Sequence, residues 1–501
     1  MSDSRIDNNQ ENNVASYRGV LKSTSLFGSV QIYLIIIQII RSKIIAVLLG
    51  PAGVGIQGLY TSATLFIRSV SSLGLSQSAV KDVSESNSSG NKERAGYIIQ
   101  VVNKLVLYTG LSGAAIVTIF SPVLSKTSFG SFSYIIPFVL LSSTLLFDQL
   151  YDGQRVILQG TRQLKKLAKV SAYSATAALL FTIPFYYFWG VDGIVPALIS
   201  NSIIAFLVIR QLAGSVNYPK VKVSLRQAIG EGKNMLKMGM AMSLSGIFGS
   251  VCAYILRGYI RYEDGTEAVG LYMAGFVIIN TYVGLVFSAI TTDYYPRLAS
   301  VRDDKIKSRE VVNQQGEIGV IILGPLLVLC VLIMPLAILI LYSEEFMPAY
   351  DYIILSTLGM LFRLISVLPA FLFIVNNATK IYLFNEMLSG FNMTVLSVLF
   401  YNIWGLSGLG LSISLGYVLF IIQVYYLSHK LYNYSFTRSY IKLILKYGIV
   451  LLLCIIDVYI FPKPYSWLLG GLLFILSIIY AYLDLNKRLM INELLSRYLK
   501  K

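Results

Sequence analysis

Residues 38–60 read QIIRSKIIAVLLGPAGVGIQGLY. An apolar run that carries two cations, Arg41 and Lys43, ends in a glycine-rich hinge, and a second apolar run begins beyond it. A run of about 20 apolar residues is long enough to cross a bilayer as a helix, and such runs recur along the chain. Composition agrees: hydrophobic residues make up 55% of 501 and charged residues 13%, and the mean hydropathy is +0.68. A soluble domain carries roughly 25% charged residues. The expected fold is an all-α polytopic membrane protein, because helices satisfy their own backbone groups within lipid.

Fourteen spans are expected, near 23–49, 57–80, 97–121, 132–151, 168–188, 194–213, 235–258, 270–294, 314–341, 350–374, 383–403, 408–428, 441–461 and 467–485. If the N-terminus is cytoplasmic, 32 of the 41 lysines and arginines fall in inner segments. The outer segments then hold only Lys126, Arg261 and Lys463. This bias predicts cytoplasmic N- and C-termini. The net charge of +16 reads as topology signal and attraction to anionic lipid, not as a nucleic-acid surface. The polar start, residues 1–22, lacks the basic, apolar and small-residue sequence of a signal peptide. Cys252, Cys330 and Cys454 all sit in apolar runs at spacings that suit neither a disulfide framework nor a metal site.

A shift of 215 residues reveals an internal repeat. It lays FWGVDGI (188–194) on IWGLSGL (403–409), GVGIQ (53–57) on AVGLY (268–272), and Lys165 on Lys380. Six spans per repeat preserve sidedness, which predicts two pseudo-symmetric lobes around a central cleft, where transporters place their substrates. The expected organisation is a polar tail (1–22), an N-lobe of six helices (23–214) and an inter-lobe linker (215–234). A C-lobe of six helices (235–430), two extra helices (441–485) and a basic tail (486–501) follow.

The chain has no HExxH, GxSxG, Walker GxxxxGK[ST] or CxxC sequence. With outer loops this short, an enzyme is not expected, and neither a cofactor nor a metal is called for. The six cations that loops do not explain are Arg41, Lys43, Arg68, Lys104, Arg257 and Arg363. Each central one costs about 2.5–3.5 kcal/mol to insert. Thr61, Thr64, Arg68, Ser71 and Ser72 recur at three- and four-residue spacing, a polar stripe expected to line a cavity. Arg363, among apolar neighbours in MLFRLISVLPAF, needs a partner on another helix or a ligand. For Arg41, Lys43 and Arg257 a place in the cleft and a snorkelling place at the interface are both open; Lys104 is expected to snorkel. Arginine pairs bidentately with phosphate oxygens, so an arginine-lined cleft calls for an anion.

RSKIIAVLLGPAGVGIQGLY (41–60) resembles the first hairpin of Wzx-type O-antigen and lipid-linked oligosaccharide flippases, the polysaccharide branch of the multidrug/oligosaccharidyl-lipid/polysaccharide exporter superfamily. TDYYPRLASV (292–301), LYSEEFMPAYDYI (341–353) and KIYLFNEM (380–387) are similar as well. The resemblance spans residues 20 to 430. It implies a MATE-like fold in a bacterial inner membrane and a substrate, undecaprenyl-pyrophosphate-linked oligosaccharide, moved to the periplasmic leaflet by alternating access. Coupling to H+ or Na+ is implied, with membrane lipid and other polysaccharide assembly proteins as partners. Lys43, Arg363 and Glu386 match the family's charged positions; Met360 stands where the family often has an acid. The pyrophosphate is expected to pair with Arg68 and Arg363, aided by Arg257, Arg41 or Lys43. Glu386 or Asp148 would couple ions or gate. The 215 shift lays Asp148 on Arg363, which raises a cross-lobe ion pair. The alternatives are a multidrug or small-molecule exporter of the same fold and a membrane polysaccharide polymerase or ligase.

Overall fold

The computed structural model describes residues 3–489 apart from 90, 215–217 and 220; of 3–29, 282, 289, 292, 293, 463, 464 and 489 it describes the backbone alone. The side chains of the expected polar tail, most of the expected basic tail and part of the expected linker therefore lie outside the described residues. No strand occurs among the described residues. The helices are α1 (Asp3–Ser71), α2 (Leu75–Ser88), α3 (Lys92–Phe129), α4 (Ile135–Gly160), α5 (Leu164–Trp189), α6 (Ile194–Ala213) and α7 (Leu225–Val277). They continue as α8 (Gly284–Ser300), α9 (Lys305–Leu341), α10 (Tyr350–Val375), α11 (Thr379–Tyr432), α12 (Arg438–Ile460) and α13 (Lys463–Leu489). Ten stretches of the described residues are long and apolar enough to cross a membrane, as expected of a multi-pass membrane protein.

Four of the ten stretches, 42, 50, 64 and 54 residues long, far exceed the roughly 20 residues a crossing needs. Each is interrupted at a glycine. Gly50 (φ 63°, ψ −175°) breaks α1 and Gly265 (φ 80°, ψ −171°) breaks α7. Gly190 (φ 52°, ψ −125°) ends α5 and Gly405 (φ 56°, ψ −138°) breaks α11. Positive φ is the conformation that glycine adopts without a Cβ penalty. At the first break Pro51 follows, at a first helical position where its missing N–H costs nothing. The arms of α11 lie side by side, with Gln423 Nε2 donating to Asn385 Oδ1 at 2.7 Å and the Ser397 and Ser412 hydroxyls 3.0 Å apart.

These breaks repeat at the 215-residue shift: Gly50 with Gly265, and Gly190 with Gly405. Arg162 (φ 55°) and Asn377 (φ 57°), which follow α4 and α10, repeat at it too. A Cβ on Gly193 would lie 2.2 Å from the Phe185 carbonyl oxygen, and one on Gly408 2.0 Å from that of Phe400, again 215 residues on. The repeat seen in a few letters is a repeat of backbone.

Helices lie over the expected spans, and several overrun them by five to ten residues. Hydropathy marks the hydrocarbon layer, whereas the helices continue into polar surroundings, as α3 does from Lys92 and α9 from Lys305. The second expected span, 57–80, is cut short. Leu73 (φ 50°) and Gly74 (φ 61°) turn the chain after Ser71, and α2 begins there.

The chain divides into two compact units, Met1–Tyr262 and Glu263–Lys501. In the first, α2, α3, α4 and the start of α7 share a core that includes Leu75, Val83, Ile98, Val102, Val156 and Met235. α7 lies against the end of α1: Ser250 and Ser69 share a hydrogen bond of 2.7 Å, and Tyr254 stacks on Phe66 at 5.6 Å. In the second, Ala370, Phe373, Phe420 and Val424 join α10 to α11. α12 and α13, expected to fall outside the repeat, pack on α9. Tyr440 and Tyr447 sit over Gly316 and Gly324, and Leu332 over Gly470. Ionic contacts secure that packing: Arg488 donates to Glu317 at 2.8 Å, and Lys446 pairs with Asp484. Large apolar side chains such as Ile119, Ile136, Leu180 and Phe188 remain exposed, which suits lipid and not water.

At Gly239 a Cβ would come within 2.6 Å of the Leu73 carbonyl oxygen, whereas Gly246 has open space. Gly239→Ala should cost about 1–3 kcal/mol and Gly246→Ala should be near neutral, as thermal unfolding of the detergent-solubilised chain will measure.

Candidate functional site

Helical spacing brings Thr61, Thr64 and Arg68 to one face of α1, and in the first unit that face lines a cavity of about 370 Å³. Thr144 and Asp148 of α4 and Asn201 and Ser202 of α6 complete its polar wall, and Leu65, Leu141, Leu145 and Leu198 its apolar one. Thr61 and Thr64 return their hydroxyl protons to carbonyls one turn back, so their oxygens remain available as acceptors.

Arg68 does not face this cavity as a bare cation. Its Nη1 donates to Asp148 Oδ2 at 2.9 Å and its Nη2 to Asp152 Oδ2 at 2.6 Å. Asp148 and Asp152 lie one turn apart on α4, so a single guanidinium fork spans both. With all three ionised, the cluster carries one net negative charge. Asp152 is the residue that sequence reasoning missed; its spacing of four from Asp148 was the available signal. The partner of Asp148 is thus Arg68 in the same unit.

In the second unit Arg363 projects from α10. Its guanidinium carbon lies 4.9 Å from the centroid of the Phe287 ring, a cation–π distance. Its Nη1 donates to Asn280 Oδ1 at 3.4 Å. Asn280 belongs to a π-helical turn, Ile278–Val283, between α7 and α8, and donates its own amide to the Phe276 carbonyl at 3.2 Å. π-turns inside α-helices occur often at functional sites. Glu386 and Tyr417, both on α11, lie within electrostatic reach of Arg363. No carboxylate of the described residues of this unit comes within 4.0 Å of it. An amide, a ring and a more distant acid leave guanidinium donors without a charged acceptor. Neither Asn280 nor Phe287 has a sequence signature; both are polar or aromatic letters in an apolar run.

The other expected cations are dispersed. Arg257 is buried at 7% exposure. Arg41 is half-buried and reaches Tyr186 near the end of α5. Lys43 is half-buried on α1. Lys104 of α3 donates to the Val223 carbonyl at 2.7 Å. Among the described residues, no group of three or more His, Cys, Asp or Glu side chains is arranged to hold a metal ion.

The fold is that of the multidrug and lipid-flippase transporters. A multidrug resistance MATE family transporter of the MOP superfamily, in an inward-facing conformation, superposes with a TM-score of 0.67 at 14% identity, over 79% of this chain and 93% of that one. The lipid II flippase MurJ, in an inward closed conformation, gives 0.66 at 15% identity, over 93% of this chain and 99% of that one. A MOP superfamily transporter from Pyrococcus furiosus, described by the reverse polarity of its binding pocket, gives 0.51 at 13% identity over 81% and 95%. No curated protein matches the chain. The family model for polysaccharide biosynthesis proteins matches residues 44–351. The chain belongs to that family.

Arg68→Gln would strand two carboxylates and should lower stability by about 3 kcal/mol, while Asp148→Asn, which keeps the Asp152 bond, should cost about 1–2 kcal/mol. Adding Asp148→Asn to Arg68→Gln should relieve part of the loss, giving a non-additive cycle in thermal unfolding.

Proposed function

We propose that this protein is a flippase for an oligosaccharide carried on undecaprenyl pyrophosphate, the unit of O-antigen or a related surface polysaccharide. It moves that unit from the cytoplasmic to the periplasmic leaflet of a bacterial inner membrane and is not an enzyme. The observation that carries the reading is Arg363, a guanidinium in the middle of an apolar helix and without a close carboxylate among the described residues of its unit. Arginine remains protonated at any accessible pH and presents paired donors to phosphate oxygens. Membership of the polysaccharide biosynthesis family supports a glycan as cargo, and a lipid pyrophosphate would supply the anion that Arg363 lacks. The likeness to MurJ supports transfer between leaflets by alternating access.

In this reading the four glycine-broken stretches each cross twice, which makes fourteen crossings. Both termini are cytoplasmic, as the lysine and arginine distribution favours. The lobes are 23–214 and 235–430, joined by 215–234, with the last two crossings in 441–485. Arg363 binds the pyrophosphate, and Arg257, Arg41 and Lys43 add positive potential. Asp148 and Glu386 are the ion-coupling groups. H+ or Na+ at Asp148 weakens its hold on Arg68, and that guanidinium then has a donor free for an anion. Membrane lipid and other polysaccharide assembly proteins are the partners.

One observation favours a second reading. The Arg68 cluster carries excess negative charge beside a cavity, which suits a cationic drug in an exporter of the same fold.

Arg363→Gln should abolish surface polysaccharide with the protein level unchanged, and Arg363→Lys should retain part of it, because charge survives but the fork does not. The same variants in liposomes with a leaflet-specific glycan label separate the readings: full glycan output from Arg363→Gln, together with cation efflux that needs Asp148, would establish the exporter.

A further inference from the structure

At the lysine-rich end of the first unit a second and larger cavity, of about 770 Å³, opens between α3 and the segment that leads into α7. Gln100, Asn103, Lys104 and Leu107 line it from one side, and Lys222, Ser224 and Gln227 from the other. Among the described residues no carboxylate lines it, and Lys104 and Lys222 give its walls positive charge. Lys104 is fixed by its bond to the Val223 carbonyl, which spends one of three ammonium donors and leaves two. Asn103 accepts from Gln154 through Oδ1 at 3.0 Å, so its amide protons remain. The start of α7 contributes little, because the Gln227 backbone N–H already bonds Ser224 Oγ and Gln227 Oε1 takes the Ser224 N–H. One turn further along α7, Glu231 is engaged by Arg94.

Leu107, 39% exposed, continues the lining toward the apolar part of α3. Ammonium groups, amide donors and an adjoining exposed leucine fit an amphiphile with an anionic phosphate at its polar end. We propose that this cavity binds the phosphate headgroup of an anionic membrane lipid, with Lys104 and Lys222 as its charged contacts. The site lies apart from Arg68 and Arg363 in sequence, and its occupancy does not depend on which substrate the protein moves.

Native mass spectrometry of the full chain in detergent, titrated with phosphatidylglycerol and with phosphatidylcholine, tests this. Lys104→Gln with Lys222→Gln should weaken the tightest phosphatidylglycerol binding roughly 30-fold and leave phosphatidylcholine binding unchanged. Lys104→Arg with Lys222→Arg should bind as the wild type does. Should the double glutamine variant unfold, Lys222→Gln alone, outside the helices, should still show a loss of roughly 5-fold. Inorganic pyrophosphate in the same titration separates the sources. Displacement of the lipid would show that phosphate alone suffices, and no displacement would show that the acyl chains are needed; both support the site. Equal phosphatidylglycerol binding by the wild type and the glutamine variants would overturn it, as would loss of binding in the arginine variant.

Discussion

A guanidinium inside an apolar helix has to be compensated, and that constraint organises both units. Insertion of an arginine at the centre of a membrane costs about 2.5–3.5 kcal/mol, so the side chain must find acceptors, a ring face or a ligand. The first unit answers with two aspartates one turn apart on α4, which hold Arg68 at 2.9 and 2.6 Å. The second answers with the Phe287 ring and the Asn280 amide, both weaker than a carboxylate. One arginine is thereby built into the structure, and the other retains donors to offer.

The glycine breaks serve the same economy of space. A helix that leaves the bilayer and returns must reverse within a few residues, and a residue at positive φ does so without a long polar loop. Gly50 and Gly190 hold positive φ in the first unit, Gly265 and Gly405 in the second. Beyond the first break, helical spacing alone sets Thr61, Thr64 and Arg68 on one wall.

Much of this was legible in the letters. Hydropathy found where the helices lie, and it failed on their ends, because the apolar signal stops before the helix does. The 215-residue repeat was visible in glycines and tryptophans because the glycines have a backbone task that no other residue performs without strain. The stripe through Arg68 was visible because helical periodicity is local. The partners of the charges were not. Asp148 and Asp152 lie 80 and 84 residues beyond Arg68, and no periodicity on α1 reports what α4 presents to it. The π-turn that carries Asn280 has no composition of its own, and the sequence gives no hint that Phe287 lies under Arg363.

The repeat also shows where the units part company. The shift that matches the glycine breaks lays Asp148 on Arg363, so corresponding places on α4 and α10 hold opposite charges. Arg68 falls on Val283 and Asp152 on Val367. The second unit therefore has neither the arginine that the first one neutralises nor the acids that neutralise it. The one cation of α10, Arg363, stands where the first unit keeps an anion. Had both units kept the acids, each wall would repel a phosphate; had both kept the arginine with its acids, neither would have charge to spare. An acid cluster closed on its own arginine in one unit, and an arginine without that closure in the other, give the second unit the stronger claim on an anionic ligand.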